Sequence, residues 1–248
     1  MAETGVEYPE LPNLISLLAE KFAGNHAIGF LKQYENIVFS LITVSIISLV
    51  AYIAGRRKAM VPGRLQAAVE GIVGGMDAFV CGILGPHGRK LTPFIGTIFI
   101  YILFMNLASF VPFMKAPTSS WSTTLALALC VFIHLQYTAL RELGFLGYID
   151  HLLGKPRGIL AFSVVIPLLM LFLHTLAELI RPISLSLRLR SNIWGDDMLL
   201  AVLAGFGPKG LPLLLFNMVL AILAAVVQAC VFSLLTTIYF ALVLTHED

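Results

Sequence analysis

Five stretches of this chain contain no Asp, Glu, Lys or Arg: Asn36 to Gly55, Leu91 to Met114, Ala116 to Leu140, Gly158 to Ala177 and Gly210 to Thr245. About 20 apolar residues in a helix cross the hydrocarbon core of a bilayer, so each stretch predicts a membrane span. The expected spans are about 37-55, 91-114, 118-140, 158-205 and 210-245, forming one all-α transmembrane domain over 36-248. Between the first two, Leu65, Val69, Ile72, Val73, Met76, Phe79, Val80, Ile83 and Leu84 recur at helical spacing. This predicts an amphipathic helix in the loop 56-90, lying on the cytoplasmic membrane surface or against a partner helix. Its glycines, Gly71, Gly74, Gly75 and Gly82, permit close packing and weaken the helix in isolation. Residues 1-35 carry Glu3, Glu7 and Glu10 where a secretory signal would be basic. With a short amphipathic segment at Leu14 to Phe22, they are expected to form an uncleaved tail outside the membrane. The sequence shows no repeat of 20–50 residues, which counts against a transporter built from inverted repeats.

Composition agrees with the pattern. Hydrophobic side chains make up 58% of the 248 residues and charged ones 12%, against about 25% charged in an ordinary soluble domain, and the mean hydropathy is +0.92. A soluble enzyme, a nucleic-acid binder and a secreted disulfide scaffold are excluded. The net charge of +2 points to no polyanionic partner. Cys81, Cys130 and Cys230 stand apart, so neither a disulfide framework nor a thiolate metal site is expected.

The basic residues set an orientation, since Lys and Arg in short loops favour the cytoplasmic side. One side of the five expected spans holds Lys21, Lys32, Lys115 and Lys209; the other holds Arg56, Arg57, Lys58, Arg64, Arg89, Lys90, Arg141, Lys155 and Arg157. The N-terminus is therefore expected outside and the C-terminus, His246-Glu247-Asp248, in the cytoplasm.

The segment Glu178 to Asp197 interrupts the apolar pattern with Glu178, Arg181, Arg188, Arg190, Asp196 and Asp197. Inside one long helix these charges fall at membrane depth, where each costs about 2.5–3.5 kcal/mol and normally marks an ion pathway. At about 100° per residue, His174, Glu178, Arg181, Arg188, Asn192 and Asp196 fall within roughly 80° of one another. A solvated loop has no reason to keep such a stripe. Arg190 and Asp197 point to the opposite face, where Asp197 or Asp196 is a candidate partner for Arg190. Pro182 is expected to bend the helix, and the small Ser184 and Ser186 allow a neighbouring helix to approach. In the last span Asn217, Gln228 and Tyr239 are each eleven residues apart, and His246 continues the row. Such a line predicts a hydrated or protein-facing surface.

An arginine keeps its proton at any accessible pH, so it cannot relay one. It can hold a fixed charge that attracts a mobile carboxylate and repels a bare cation, by about 4 kcal/mol at 4 Å and an effective dielectric near 20. Glu178, Asp196, Asp197 and His174 are the groups able to exchange protons, with Gln228 and Asn192 as hydrogen-bonding company. The combination predicts two water-accessible pockets separated by an electrostatic barrier and driven by the transmembrane potential. Enzyme readings lack their residues. His174 and Glu178 do not form HExxH, GxSxG is absent, and His134 is read as a packed core histidine.

Arg181-Pro182-Ile183-Ser184-Leu185-Ser186-Leu187-Arg188-Leu189, with Asn192 and then Asp196-Asp197, resembles the signature of subunit a of the F-type ATP synthase, the stator half of its ion channel. Further landmarks follow in the family's order. They are Val61-Pro62-Gly63-Arg64-Leu65-Gln66 with Glu70, Met105-Asn106-Leu107 with Pro112, Pro117-Thr118-Ser119, and Gln228 with Tyr239. The resemblance covers roughly Val61 to Tyr239.

The resemblance implies five spans, the last two long and tilted around a ring of hairpin c subunits. Arg188 matches the essential arginine that meets the ring's carboxylate. Asn192 and Gln228 match residues lining two aqueous half-channels, and Asp197 matches an acidic position nine residues after the arginine. It implies a proton-translocating subunit without catalytic residues, cofactor or metal. Its partners would be the c-ring, the peripheral-stalk b subunits and the lipid bilayer of a bacterial-type inner membrane, with no nucleic acid. Two departures stand out. Arg190-Ser191 occupy places where the family usually has an aromatic or apolar residue and Gly, and Ala221 stands where some members carry His or Glu. The proton path is therefore expected to use Asp197, Glu178 or His174. A stand-alone secondary ion transporter is the alternative, and an intramembrane enzyme a third class.

Overall fold

The computed structural model describes residues 34–56, 63–110, 117–153 and 162–244. They form six α-helices and short 3-10 turns, with no strand among the described residues. The helices are α1 (Glu35–Arg56), α2 (Arg64–Leu84), α3 (Thr92–Leu107), α4 (Trp121–Leu153), α5 (Phe162–Ala204) and α6 (Leu211–Leu244). The expected spans correspond to α1, α3, α4, α5 and α6. The helix expected within 56-90 is α2, and its part Gln66–Leu84 is also long and apolar enough to cross a membrane, making six such helices among the described residues. The short amphipathic segment expected at Leu14 to Phe22 and His246 lie outside the described residues.

Local chemistry fixes most boundaries. Gly85 ends α2 at φ 64, a conformation favourable only to glycine, and Pro93 sits in the first turn of α3, where its missing N–H costs nothing. The turn between α5 and α6 needs Gly210, since a Cβ there would meet the Leu203 carbonyl oxygen at 2.6 Å. Within α4, Gly144 leaves helical geometry at φ 68, ψ 167 and breaks the helix in two. By contrast, α5 remains one helix of 43 residues through Pro182. That is roughly 65 Å of helix, twice the about 30 Å of bilayer hydrocarbon.

Burial follows two clusters. In the first, Leu185, Leu189 and Ile193 of α5 pack against Ile98 and Ile102 of α3, Ala128 and Val131 of α4, and Ala229 and Phe232 of α6. In the second, Met76 and Val80 of α2 meet Leu91 and Ile95 at the start of α3, Leu135 and Ala139 of α4, and Phe240 and Val243 at the end of α6. All contacts of this second cluster lie toward one end of the bundle. Asp77 of α2 strengthens the join, accepting a hydrogen bond from Thr92 Oγ1 at 2.9 Å and lying 3.6 Å from Arg89. α1 is peripheral, with only Phe39 and Thr43 buried, and Ser40 meets Tyr101 at 3.0 Å.

Candidate functional site

Leu189 is fully buried in the first cluster, and this fixes the rotation of α5. Arg188, one residue earlier and about 100° around the helix, is thereby turned outward and lies exposed. Arg190, two residues on, turns to α4: its guanidinium carbon lies 5.2 Å from the centroid of the Trp121 ring. An open cleft of about 250 Å³ beside it is lined by Trp121, Leu187, Arg190, Ser191 and Trp194.

Two polar groups of residues flank Arg188 along α5. Before it, about 15 Å along the axis for ten residues, Glu178 Oε2 accepts a hydrogen bond from Gln136 Nε2 at 2.8 Å. The Tyr148 hydroxyl lies 3.0 Å from the same oxygen and 2.8 Å from Gln136 Oε1. It has one hydrogen for these two acceptors. Gln136 and Tyr148 are twelve residues apart, or about 18 Å on a straight helix, and the break at Gly144 brings them together. Tyr148 lies beyond the apolar part of α4, which ends at Glu142. Burial, followed by the charge and hydrogen bond of Glu178, pushes its phenol up to about 12; Gln136 and Arg181 pull the other way.

Between Glu178 and Arg188, the Arg181 guanidinium carbon stands 4.9 Å from the centroid of the Tyr239 ring on α6. His174 places Nδ1 3.0 Å from the Met170 carbonyl oxygen, a local contact along α5. After Arg188, roughly 6 and 12 Å along the axis, Asn192 and Asp196 line a small cleft of about 10 Å³ with Asp197, room for about one water. Asn106 and Ser109 close it from α3 and the turn after it, and Ala221 and Ala225 from α6. Ala221, at the position where some members of the resembled family carry His or Glu, lines this cleft together with the two aspartates.

The row on α6 faces protein. Asn217 and Gln228 are buried and Tyr239 is half-buried. Asn217 Nδ2, Gln228 Nε2 and Asn106 Nδ2 have no hydrogen-bond acceptor among the described residues, although Asn106 Oδ1 accepts from Thr118 at 3.2 Å. Buried amide donors of this kind are normally met by water. His134 packs between Phe94 and Phe240, at ring-centroid distances of 4.0 and 5.7 Å, as its reading as a packed histidine expected.

The stripe on α5 is therefore shared out. Arg181, Asn192 and Asp196 follow the seam with α6, Glu178 turns to α4, and Arg188 stays exposed. Sequence reasoning missed Gln136, Tyr148, Ser109 and Trp121 as members of these groups. Gln136 carried one signal, as an amide in a stretch without charges; Tyr148 carried none.

Comparison with known proteins gives one consistent result. The family described as ATP synthase A chain matches residues 37–241. ATP synthase subunit a of Protochlamydia amoebophila is 40% identical over 248 aligned residues, covering 96% of this chain and 91% of the relative. The subunit of the same name from Oleidesulfovibrio alaskensis is 36% identical, covering 86% and 88%. That of Helicobacter pylori is 35% identical, covering 93% and 96%.

Proposed function

The chain belongs to the ATP synthase A chain family, and from that premise we propose that it is the proton-conducting stator subunit of an F-type ATP synthase, non-catalytic by itself. Arg188 is the fixed charge that engages the carboxylate of each passing c subunit. The observation that carries this reading is its placement, exposed on the outer face of α5 with a polar group of residues on either side. A carboxylate carried past Arg188 is attracted while charged, whereas a free proton meets a barrier.

The cleft at Asn192, Asp196 and Asp197 belongs to one half-channel and the Glu178 group to the other. Gln228 and Asn217 supply buried amides along the seam, and Tyr239 holds Arg181 beside it. His174 lies at the far end of the Glu178 side. A proton entering one half-channel neutralises a ring carboxylate, which can then face lipid. After nearly a full turn it loses the proton to the other side under the transmembrane potential.

In this reading α1, α3, α4, α5 and α6 cross a bacterial-type inner membrane, with the N-terminus outside. α5 and α6 are tilted around the ring, as the length of α5 supports. α2 lies across the cytoplasmic end of the bundle, supported by its contacts with the first turns of α3 and the last turns of α6. The peripheral-stalk b subunits bind the stator from outside the ring contact.

ATP-driven acidification of inverted vesicles, measured with and without sodium, tests the proposal. Arg188→Ala abolishes acidification and Arg190→Ala retains most of it; the opposite pattern overturns the assignment. The subunit should also leave detergent together with a ring of small hydrophobic subunits and the soluble ATPase.

A further inference from the structure

Resting on that reading, we infer that Gln136 and Tyr148 are positioning residues for Glu178, forming a hydrogen-bond switch that follows the protonation state of this carboxylate. Glu178 Oε2 is the meeting point of two donors from a different helix, the Gln136 amide at 2.8 Å and the Tyr148 hydroxyl at 3.0 Å. The hydroxyl has a second acceptor within reach, Gln136 Oε1 at 2.8 Å. The three side chains close a triangle with one movable hydrogen.

The two states balance without any covalent change in Tyr148 or Gln136. With Glu178 ionised, the Tyr148 O–H donates to Oε2, giving the charge two donors on one oxygen. When a proton arrives on Oε2, the new O–H donates to the tyrosine oxygen, and the Tyr148 hydrogen swings to Gln136 Oε1. Departure of the proton reverses both movements. Each state keeps the hydroxyl donating, so neither leaves a costly unpaired donor. The phenol itself never ionises on this cycle, in keeping with its value near 12. Among the described residues, Tyr148 of α4 and Arg181 of α5 are the titratable and charged groups at the triangle, with Tyr239 of α6 behind Arg181; His174 stands one turn before Glu178 on α5, its Nδ1 3.0 Å from the Met170 carbonyl oxygen.

Gly144 makes the device possible. Its φ 68, ψ 167 turn carries the chain back so that Tyr148 returns to the level of Gln136. The triangle therefore reports a designed fit between a helix break and a carboxylate on the next helix, at the end of α5 opposite the aspartate cleft.

The test is a double-mutant cycle in inverted vesicles holding the assembled complex. Tyr148→Phe and Gln136→Leu each lower ATP-driven pumping about threefold or more, because each removes a donor that holds the Glu178 carboxylate in place. In a Glu178→Gln background neither change has any further effect. A purely structural role would instead scale pumping down equally in both backgrounds, and that result overturns the inference. So does wild-type pumping by Tyr148→Phe. If Glu178→Gln pumps normally while Arg188→Ala does not, the switch fails and the functional reading stands; if Arg188→Ala also pumps, the functional reading itself fails.

Discussion

The Arg181 guanidinium lies over the face of the Tyr239 ring, 4.9 Å from its centroid, and joins α5 to α6 between the Glu178 group and Arg188. Cation–π contacts are worth about 0.5–2 kcal/mol, more when shielded from water, and they depend on the ring rather than on the hydroxyl. Tyr239→Phe is therefore expected to leave the complex as stable as the wild type. Tyr239→Leu should lower the temperature at which this subunit is released from the detergent-solubilised complex. Equal effects of the two would mean that the hydroxyl, not the ring face, holds the seam.

Tyr148 provides a pH prediction. Its folded-state value of about 12 is raised above the ordinary 10, so its neutral form is favoured by folding. That contribution is complete below about pH 10 and is lost as the pH rises through about 12. Ultraviolet difference titration against Tyr148→Phe should show one tyrosinate step displaced to that range. In Glu178→Gln the step should move part of the way back, because the charge of Glu178 is a cause secondary to burial.

Gly144 adopts φ 68, ψ 167, a region essentially closed to residues with a Cβ and costing on the order of 1–3 kcal/mol. Gly144→Ala should shift the chain out of this turn and draw Tyr148 away from Gln136 and Glu178. The expected outcome is a pumping defect like that of Tyr148→Phe, with a similar amount of subunit in the membrane. Normal pumping by Gly144→Ala would show that the turn is dispensable.

The two polar groups should open to opposite sides of the membrane. With Cys81, Cys130 and Cys230 replaced by Ser, Ser109→Cys and Asp196→Cys are expected to react with an impermeant thiol reagent from outside. Gln136→Cys should react only in inverted vesicles. Labelling of both groups from one face would contradict the half-channel assignment and the orientation drawn from the basic loops.

Much of this was legible in the sequence because helical periodicity and membrane solvation act along the chain. Charge-free stretches of about 20 residues announced five long apolar helices, and α1, α3, α4, α5 and α6 fall on them, while α2 is a sixth helix long and apolar enough to cross a membrane. The angular stripe on α5 singled out Arg188, Asn192 and Asp196, and the eleven-residue row predicted the buried Asn217 and Gln228. Periodicity assigns a residue to a face of its own helix. It does not say which helix lies against that face.

Only the tertiary structure could decide that Arg190 stacks on Trp121, that Arg181 finds Tyr239, and that Glu178 turns to Gln136 and Tyr148. Each contact joins residues on different helices, whose rotation is set by buried side chains such as Leu189. The Gln136 and Tyr148 pair adds a second reason. A straight helix would hold them about 18 Å apart, and the single positive φ at Gly144 reduces that to a hydrogen bond. The sequence determined where charge enters the membrane; packing and one backbone turn decided what each charge meets there.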